Sequence, residues 1–224
     1  MARRAGWTND PRAPPDRHHS RGGRGGGAIS AAPRQNAVRG PCVTHLAYVD
    51  VSNLFIEGQK VSAVAKGLVR DRKAASVRGV INFGYRLDLH RLMALLRQGG
   101  EGEGAPRAVA FGSVTNSNEG LWRHAAAAGF DVVTLERGFS GGEKRVDTSL
   151  VTRVCRDAYR FGDPRRDRIT LAAGDGDYEP LVRQLVADGF RVTVLYWAHA
   201  SRELREAATA FQSLDAYIED LALG

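Results

Sequence analysis

The sequence predicts an α/β fold built on a parallel β-sheet. The first observation is an alternation of apolar runs of strand length with stretches whose apolar residues recur at helical spacing. The second is a turn at residues 173–178 that sets Asp175 and Asp177 among glycines, where a strand passes into a helix. The third is a length of 224 residues with 43% hydrophobic content, enough to bury one core. Ligands of open α/β sheets bind at the carboxyl ends of the strands, where these two acids are expected to lie.

Most of the positive charge lies in an N-terminal arm. Residues 1–43 hold eight arginines against two aspartates, so they carry +6 of the chain's net charge of +7. This segment is rich in Gly, Pro and Arg and lacks apolar periodicity, which predicts a disordered basic arm. It could tether RNA, as Arg-Gly segments do, or it could be a dispensable extension. Residues 44–224, which are nearly neutral, are then predicted to form one folded domain.

Several classes of protein receive no support from the sequence. No stretch is long and apolar enough for a signal peptide or a membrane span, so we expect a soluble, cytoplasmic protein. The two cysteines, Cys42 and Cys155, have no metal-binding spacing, and the six histidines are scattered. A zinc site and a disulfide framework are therefore not expected.

The folded domain opens with a predicted strand at residues 44–50, which ends at Asp50 and leads into a helix. An aspartate in this place commonly holds a metal ion or acts as a base, but it can also cap the helix. Because Ser52 or Asn53 could supply the cap, we expect Asp50 to be free for chemistry.

Residues 58–79 carry a local charge of +5 and are predicted to form a basic loop. Its lysines and arginines could neutralise phosphates and steer a polyanion to the site. The alternative is an exposed loop of mixed charge.

The middle of the chain continues the alternation expected of a parallel sheet. We predict a helix at 87–96, a strand at 107–111, a helix at 121–128 that ends at Gly129, and a strand at 130–135. Ser113, at the tip of the second strand, is a candidate substrate contact, although turn chemistry explains it nearly as well.

Asp147 is predicted to begin the next helix, where it would make a good N-cap. Its neighbour Lys144 is a candidate substrate contact or simply a surface charge. Strands at 168–172 and 191–197 follow, with a helix at 178–188 between them that Asp177 is expected to cap. The chain then continues into a helix capped by Ser201, whose apolar face runs to Phe211, and a short helix or turn at 214–221.

The acidic residues are the chemically informative part of this pattern. Asp50, Asp147, Asp175 and Asp177 all lie at predicted strand exits or helix entries on one side of the sheet. Carboxylates gathered in this way repel one another unless a divalent cation lies between them. Oxygen ligands suit Mg²⁺ or Mn²⁺. Such an ion polarises a phosphoryl oxygen and lowers the pKa of a water, which favours phosphodiester hydrolysis.

Four blocks of sequence occur in register: YVDVSNL at 48–54, EKRVDT at 143–148, AGDGDYEPLV at 173–182 and ASRELREAA at 200–208. Together they resemble the NYN domain, a branch of the PIN-like metal-dependent nucleases, over about residues 44 to 221. The resemblance implies a Rossmann-like PIN-type fold of three layers, with helices on both faces of a parallel sheet. The sheet would have about five strands in the order 3-2-1-4-5, so the strands that end at Asp50 and Asp175 would be neighbours.

The resemblance also implies an activity, that of an endoribonuclease-type hydrolase dependent on Mg²⁺ or Mn²⁺. Asp50, Asp147, Asp175 and Asp177 match the family's catalytic and metal-binding acidic positions. Asn53 matches the polar residue that supports the site, and it is a candidate substrate contact.

At one position the sequence departs from the family. Many relatives carry a further aspartate six residues after the one that matches Asp147, and this chain has Arg153 there. Asp157, one turn further along the helix, is better placed to pair with Arg153 than to replace the missing carboxylate. Arg153 could lower metal affinity, contact a substrate phosphate, or lie outside the site.

Three hypotheses for function therefore stay open at this point. The first is an active ribonuclease. The second is a catalytically weakened or inactive NYN domain that binds RNA as a regulator, and the third is a protein-interaction role. RNA is the expected partner and a membrane is not, while the sequence does not decide whether the chain forms a homo-oligomer.

Overall fold

The computed structural model describes residues 44–98, 105–115, 118–136 and 142–223, except for the side chains of 142–144. The predicted arm, residues 1–43, lies outside the described residues. The strands are β1 (His45–Asp50), β2 (Arg107–Val114), β3 (Asp131–Glu136), β4 (Arg168–Ala172), β5 (Arg191–Tyr196) and β6 (Ala210–Ser213). The helices are α1 (Val51–Ala65), α2 (Arg72–Arg78), α3 (Leu89–Gln98), α4 (Glu119–Ala127), α5 (Gly142–Phe161), α6 (Glu179–Ala187) and α7 (Arg202–Ala207). Two short 3₁₀ helices span Gly176–Tyr178 and Asp215–Tyr217.

The six strands pair in parallel in the order β3-β2-β1-β4-β5-β6, and helices flank the sheet. The predicted order of the first five strands is confirmed, as is the α/β class with a Rossmann-like PIN-type arrangement. β1 is buried along its whole length, as expected for a central strand of a parallel sheet. Val49 pairs with Ala110 on one side and with Ala172 on the other, so the order of the strands reverses at β1. The crevice at such a switch point is the usual ligand site of an open α/β sheet.

Local sequence explains where several helices end. Gly129 follows α4 with φ +96°, and Gly189 follows α6 with φ +92°. Both residues adopt the left-handed conformation that glycine tolerates at little cost, and α4 ends at the glycine that was predicted to stop it.

The predictions for two stretches of the chain, residues 58–79 and the segment that follows Ser201, are wrong. The basic stretch at 58–79 is mostly helical, since α1 continues to Ala65 and α2 occupies Arg72–Arg78. The apolar face predicted to run to Phe211 in the last helix is interrupted. α7 ends at Ala207, and Ala210–Ser213 pair with β5 as a sixth strand. A strand of four residues carries too little periodicity to be recognised, and its pairing partner decides its structure.

Within the described ranges, no helix combines the length and the apolar composition needed to cross a membrane.

Candidate active site

A cavity of about 200 Å³ opens at the carboxyl edge of the sheet, beside the end of β1. Its wall is formed by Asp50, Ser52, Asn53, Ile56, Glu57, Ser113, Val146, Asp147 and Asp175. We call it the acidic cavity. Three of the four predicted acidic residues line it, together with the predicted contacts Asn53 and Ser113. The side chain of Asp177 is exposed and does not belong to this wall.

Asp50 is the buried carboxylate of the acidic cavity, with 5% of its surface exposed. Its Oδ1 accepts a hydrogen bond of 3.0 Å from the main-chain N–H of Asn53, so Asp50 is the N-cap of α1. Asp50 thus has the capping role that the sequence left open, and neither Ser52 nor Asn53 takes its place. Burial raises the pKa of Asp50 to about 6, and the neighbouring carboxylates Asp147 and Asp175 add to the shift.

Tyr178 connects two of these carboxylates. Its hydroxyl lies 2.7 Å from Oδ1 of Asp147 and 3.2 Å from Oδ2 of Asp50. The ring is fully buried, and burial together with the two nearby acids raises the pKa of Tyr178 above its usual range. Because the hydroxyl carries one proton, it can donate a hydrogen bond to only one of the two carboxylates at a time. Sequence reasoning missed this role, although a tyrosine directly after Asp175-Gly176-Asp177 was a usable signal.

Asp147 reaches the acidic cavity from α5. The helix begins at Gly142, so Asp147 lies in its second turn and the prediction that it begins the helix as N-cap is wrong. Since Asp147 does not cap α5, its carboxylate can face the acidic cavity next to Val146. Lys144 lies in the first turn of α5, but its side chain is outside the described part of the structure.

Asp175 and Asp177 have different surroundings. Oδ1 of Asp175 accepts a hydrogen bond of 3.1 Å from the N–H of Asp177, which makes Asp175 the cap of the first 3₁₀ helix. The N-cap position of α6 is Tyr178, and it makes no side-chain capping bond. Asp177 therefore does not cap α6 as predicted. Of the two acids, Asp175 is the one that lines the acidic cavity.

Gly174, just before this pair, is required by close packing. A Cβ atom at this position would lie 1.9 Å from Cε1 of the Tyr196 ring. The ring in turn supports the site, because the Tyr196 hydroxyl donates to the side-chain oxygen of Asn53. The glycine thus allows β4 and β5 to bring an aromatic side chain behind the acidic cavity.

Arg153, the departure from the family pattern, lies outside the acidic cavity. Its guanidinium donates to Asp157 at 2.6 Å and to Asp131 at 2.8 Å. Asp157 also accepts from Arg156 and from the Tyr48 hydroxyl. The predicted pairing of Arg153 with Asp157 is confirmed. Arg153 borders a different groove, of about 660 Å³, between β2, β3 and α5.

Glu57 is a residue of the acidic cavity that sequence reasoning missed. Its carboxylate differs from those of Asp50, Asp147 and Asp175 because basic side chains surround it. Lys60, Arg72 and His199 all lie within 3.1 Å of its oxygens. Glu57 follows Asp50 by two helical turns on α1, a spacing that would have allowed it to be found.

The residues of the acidic cavity fit a hard divalent ion. Carboxylate, amide and hydroxyl oxygens are the donors present in its wall, and the raised pKa of Asp50 indicates that a positive charge nearby would be favourable. In the described part of the chain, no group of three or more His, Cys, Asp or Glu side chains is placed to hold a metal ion. The acidic cavity therefore suits an ion such as Mg²⁺, which takes one or two carboxylates and keeps several waters.

Comparisons with known proteins agree with this architecture. The sequence model of the NYN domain family matches residues 46–215, a range that includes every residue of the acidic cavity. The crystal structure of a protein of unknown function from Vibrio parahaemolyticus resembles this chain with a TM-score of 0.58 and 19% sequence identity, and the match covers 83% of this chain and 99% of that one. At this identity the likeness concerns the fold alone. No protein with a curated description matches the sequence significantly.

Proposed function

The chain belongs to the NYN domain family, a family of PIN-like ribonucleases, and from this premise we propose that it hydrolyses RNA phosphodiester bonds with Mg²⁺ or Mn²⁺ as its cofactor. The observation that carries the proposal is the convergence of Asp50, Asp147 and Asp175 on one cavity at the switch point of the sheet. PIN-like nuclease domains typically use divalent metals. The oxygen donors of the acidic cavity suit such an ion.

The acidic residues and Tyr178 have distinct roles in this proposal. Asp50, Asp147 and Asp175 would hold the ion, one or two of them directly and the others through its waters, and the main-chain N–H of Asp177 positions the carboxylate of Asp175. The ion supplies Lewis-acid polarisation of a phosphoryl oxygen and lowers the pKa of a water. Tyr178 keeps Asp50 and Asp147 at a fixed separation.

The polar residues of the same wall are proposed to bind the substrate. Tyr196 occupies the side-chain oxygen of Asn53, so the amide nitrogen of Asn53 is the group able to donate to a phosphate oxygen. Ser113 lies across the cavity, and its N–H bonds Oγ of Ser52 at 3.4 Å. The cavity therefore has hydrogen-bond donors beside its carboxylates, as recognition of a phosphodiester requires.

A cleavage assay tests the proposal. Purified full-length protein is incubated with a mixed pool of labelled RNA in EDTA, in Mg²⁺ and in Mn²⁺. We expect cleavage only with the metals and its loss in Asp175→Asn. The control variant Asp220→Asn changes an exposed aspartate outside the acidic cavity and should cleave like the wild type.

The outcomes separate the hypotheses. Equal cleavage by wild type and Asp175→Asn would contradict the proposed site. No cleavage of any RNA with either metal would contradict the activity. Salt-dependent RNA binding that is indifferent to EDTA and accompanied by no cleavage would instead identify an RNA-binding regulator.

A further inference from the structure

Glu57 is the centre of a compact charged cluster on one flank of the acidic cavity. Its Oε1 lies 2.6 Å from Nζ of Lys60, and its Oε2 lies 3.1 Å from a guanidinium nitrogen of Arg72. Nε2 of His199 lies 3.0 Å from the same Oε2, without the alignment of a regular hydrogen bond. These contacts, that with His199 foremost, lower the pKa of Glu57 to about 2. We call these four residues the Glu57 cluster.

The Glu57 cluster contains more positive than negative charge. One carboxylate faces two permanent cations, so a charge of +1 is left over, or +2 when His199 is protonated. The side chains of Glu57 and Lys60 are 18% and 22% exposed, and that of Arg72 is 41% exposed. Charges in such a half-buried position are screened by solvent less than charges on the open surface. The surplus therefore favours an anion at this place.

The Glu57 cluster and the acidic cavity share a wall. Glu57 lines the cavity with Asn53 and Asp175, so the cations that hold it lie at the cavity's flank. Both groups of charges also act on one side chain, Tyr196. Burial first, then the charges of Glu57, Asp50 and Asp175, raise the pKa of Tyr196, while Arg72 opposes the shift. The carboxylates and the surplus cations are thus neighbours around a single tyrosine.

The carboxylate of Glu57 is unsuited to join the metal ligands. Both of its oxygens already contact cations, and a divalent ion would have to displace them. Its effect is to hold Lys60 and Arg72 in place, with Arg72 reaching across from α2 to α1. A carboxylate that fixes two cations beside an acidic cavity prepares a site for a phosphate.

We propose that the Glu57 cluster binds a backbone phosphate of the RNA strand, next to the phosphate that lies in the acidic cavity. The inference rests on the proposed RNA substrate and adds a second point of contact to it. Lys60 and Arg72 contact the phosphate, and Glu57 is their positioning residue. RNA is favoured over an isolated anion because one strand presents a phosphate to each of two adjacent sites.

Lys60 and Arg72 differ in their partners from other basic residues at 58–79. Lys66 pairs with Glu219 at 3.3 Å, and Arg70, which is 88% exposed, pairs with its neighbour Asp71 at 2.7 Å. Neither pairs with Glu57, the carboxylate that lines the acidic cavity. They are therefore matched controls, each close in sequence to one residue of the Glu57 cluster.

The test measures RNA binding without cleavage. Affinity of the full chain for a labelled single-stranded RNA is measured in EDTA at several KCl concentrations, for Lys60→Gln and Arg72→Gln and for the controls Lys66→Gln and Arg70→Gln. Loss of one phosphate contact should reduce the slope of log affinity against log salt by about 0.7, which is about fivefold in affinity at about 0.1 M salt. The controls should keep the wild-type slope. The charge-conserving variants Lys60→Arg and Arg72→Lys should largely keep it as well.

Three results would overturn the proposal. Unchanged slopes in both Gln variants, with thermal stability lowered, would mean that the Glu57 cluster only ties α1 to α2. An equal loss in the controls would mean that bulk charge alone matters. If the wild type binds no RNA, RNA is excluded as the ligand of the Glu57 cluster. Because the measurement needs no metal and no cleavage, failure of the ribonuclease proposal in the cleavage assay leaves this result interpretable.

Discussion

Replacement of Asp50 by Asn should make the metal-free protein more stable while it removes the proposed activity. Burial and two neighbouring carboxylates raise the pKa of Asp50 from its ordinary value of 3.8 to about 6. The folded state therefore disfavours the ionised carboxylate by roughly 3 kcal/mol, since one pKa unit corresponds to about 1.4 kcal/mol. Asn has the same shape, caps a helix as well as Asp does, and carries no charge. We expect the free energy of unfolding of Asp50→Asn to exceed that of the wild type by about 1–3 kcal/mol at pH 7.5. The gain is smaller than the full cost of the charge where the buried amide group lacks a hydrogen-bond partner.

The sign of the pH dependence follows from the raised pKa. Between about pH 4 and pH 6 the folded protein binds more protons at Asp50 than the unfolded chain does, so the wild type loses stability as the pH rises through this window. Below about pH 4 the carboxyl is protonated in both states, and wild type and variant should be similar. Above about pH 6 the difference in stability between wild type and Asp50→Asn should reach its full size.

Urea unfolding in EDTA at several pH values measures this difference. Added Mg²⁺ should narrow it, because an ion that binds only the folded wild type stabilises that protein. The control Asp220→Asn keeps Asp50, so its stability should change with pH as that of the wild type does. A variant Asp50→Asn that is less stable than wild type at pH 7.5, or a difference in stability that is the same at every pH, would contradict the raised pKa of Asp50.

Three further substitutions test other contacts of the site. Tyr178→Phe keeps the ring but removes the hydroxyl between two carboxylates, so the free energy of unfolding at neutral pH should fall by about 1–3 kcal/mol and cleavage should fall as well. Unchanged stability would show that the hydroxyl does not stabilise the fold. Arg153→Asp places a carboxylate beside Asp157 and Asp131, the two acids that Arg153 pairs with, and should lower the free energy of unfolding by about 3 kcal/mol or more with no gain in cleavage. A more active variant would show that Arg153 inhibits the site. Gly174→Ala drives a methyl group into the Tyr196 ring and should cost about 1–3 kcal/mol or more in urea unfolding, and a neutral result would mean that the ring can move aside.

Local pattern predicted the central strands of the sheet well because they are mostly buried. β1, β4 and β5 are apolar runs of strand length, and each is followed by a turn or a helix signal. The elements that local pattern missed are those whose boundaries depend on neighbours. α5 begins in a polar segment before Asp147, and β6 exists because its main chain pairs with β5.

Asp50 and Asp175 were predictable because each follows a strand in the chain, and Asp147 because it lies near the start of a helix. Asp50, Asp147 and Asp175 could be chosen from the order of elements and from the resemblance to a family. Their individual surroundings could not be predicted in this way. Whether a carboxylate caps a helix depends on which main-chain N–H points at it, and Asp50 and Asp175 both accept such bonds while Asp177 does not cap α6.

The sequence by itself therefore determined the fold class, the order of the first five strands through the family resemblance, and the carboxylates that lie at the edge of the sheet. These properties follow from periodicity, glycine positions and motif order, which can be read from the sequence without a structure. The three-dimensional structure was needed to show that Tyr178 joins Asp50 to Asp147, that Arg153 lies outside the acidic cavity, and that Glu57 contacts Lys60, Arg72 and His199 beside it. Such contacts join residues that are distant in the chain or that project from one helix in different directions. Their charges affect one another only once the fold has brought them within a few ångströms and removed the water between them.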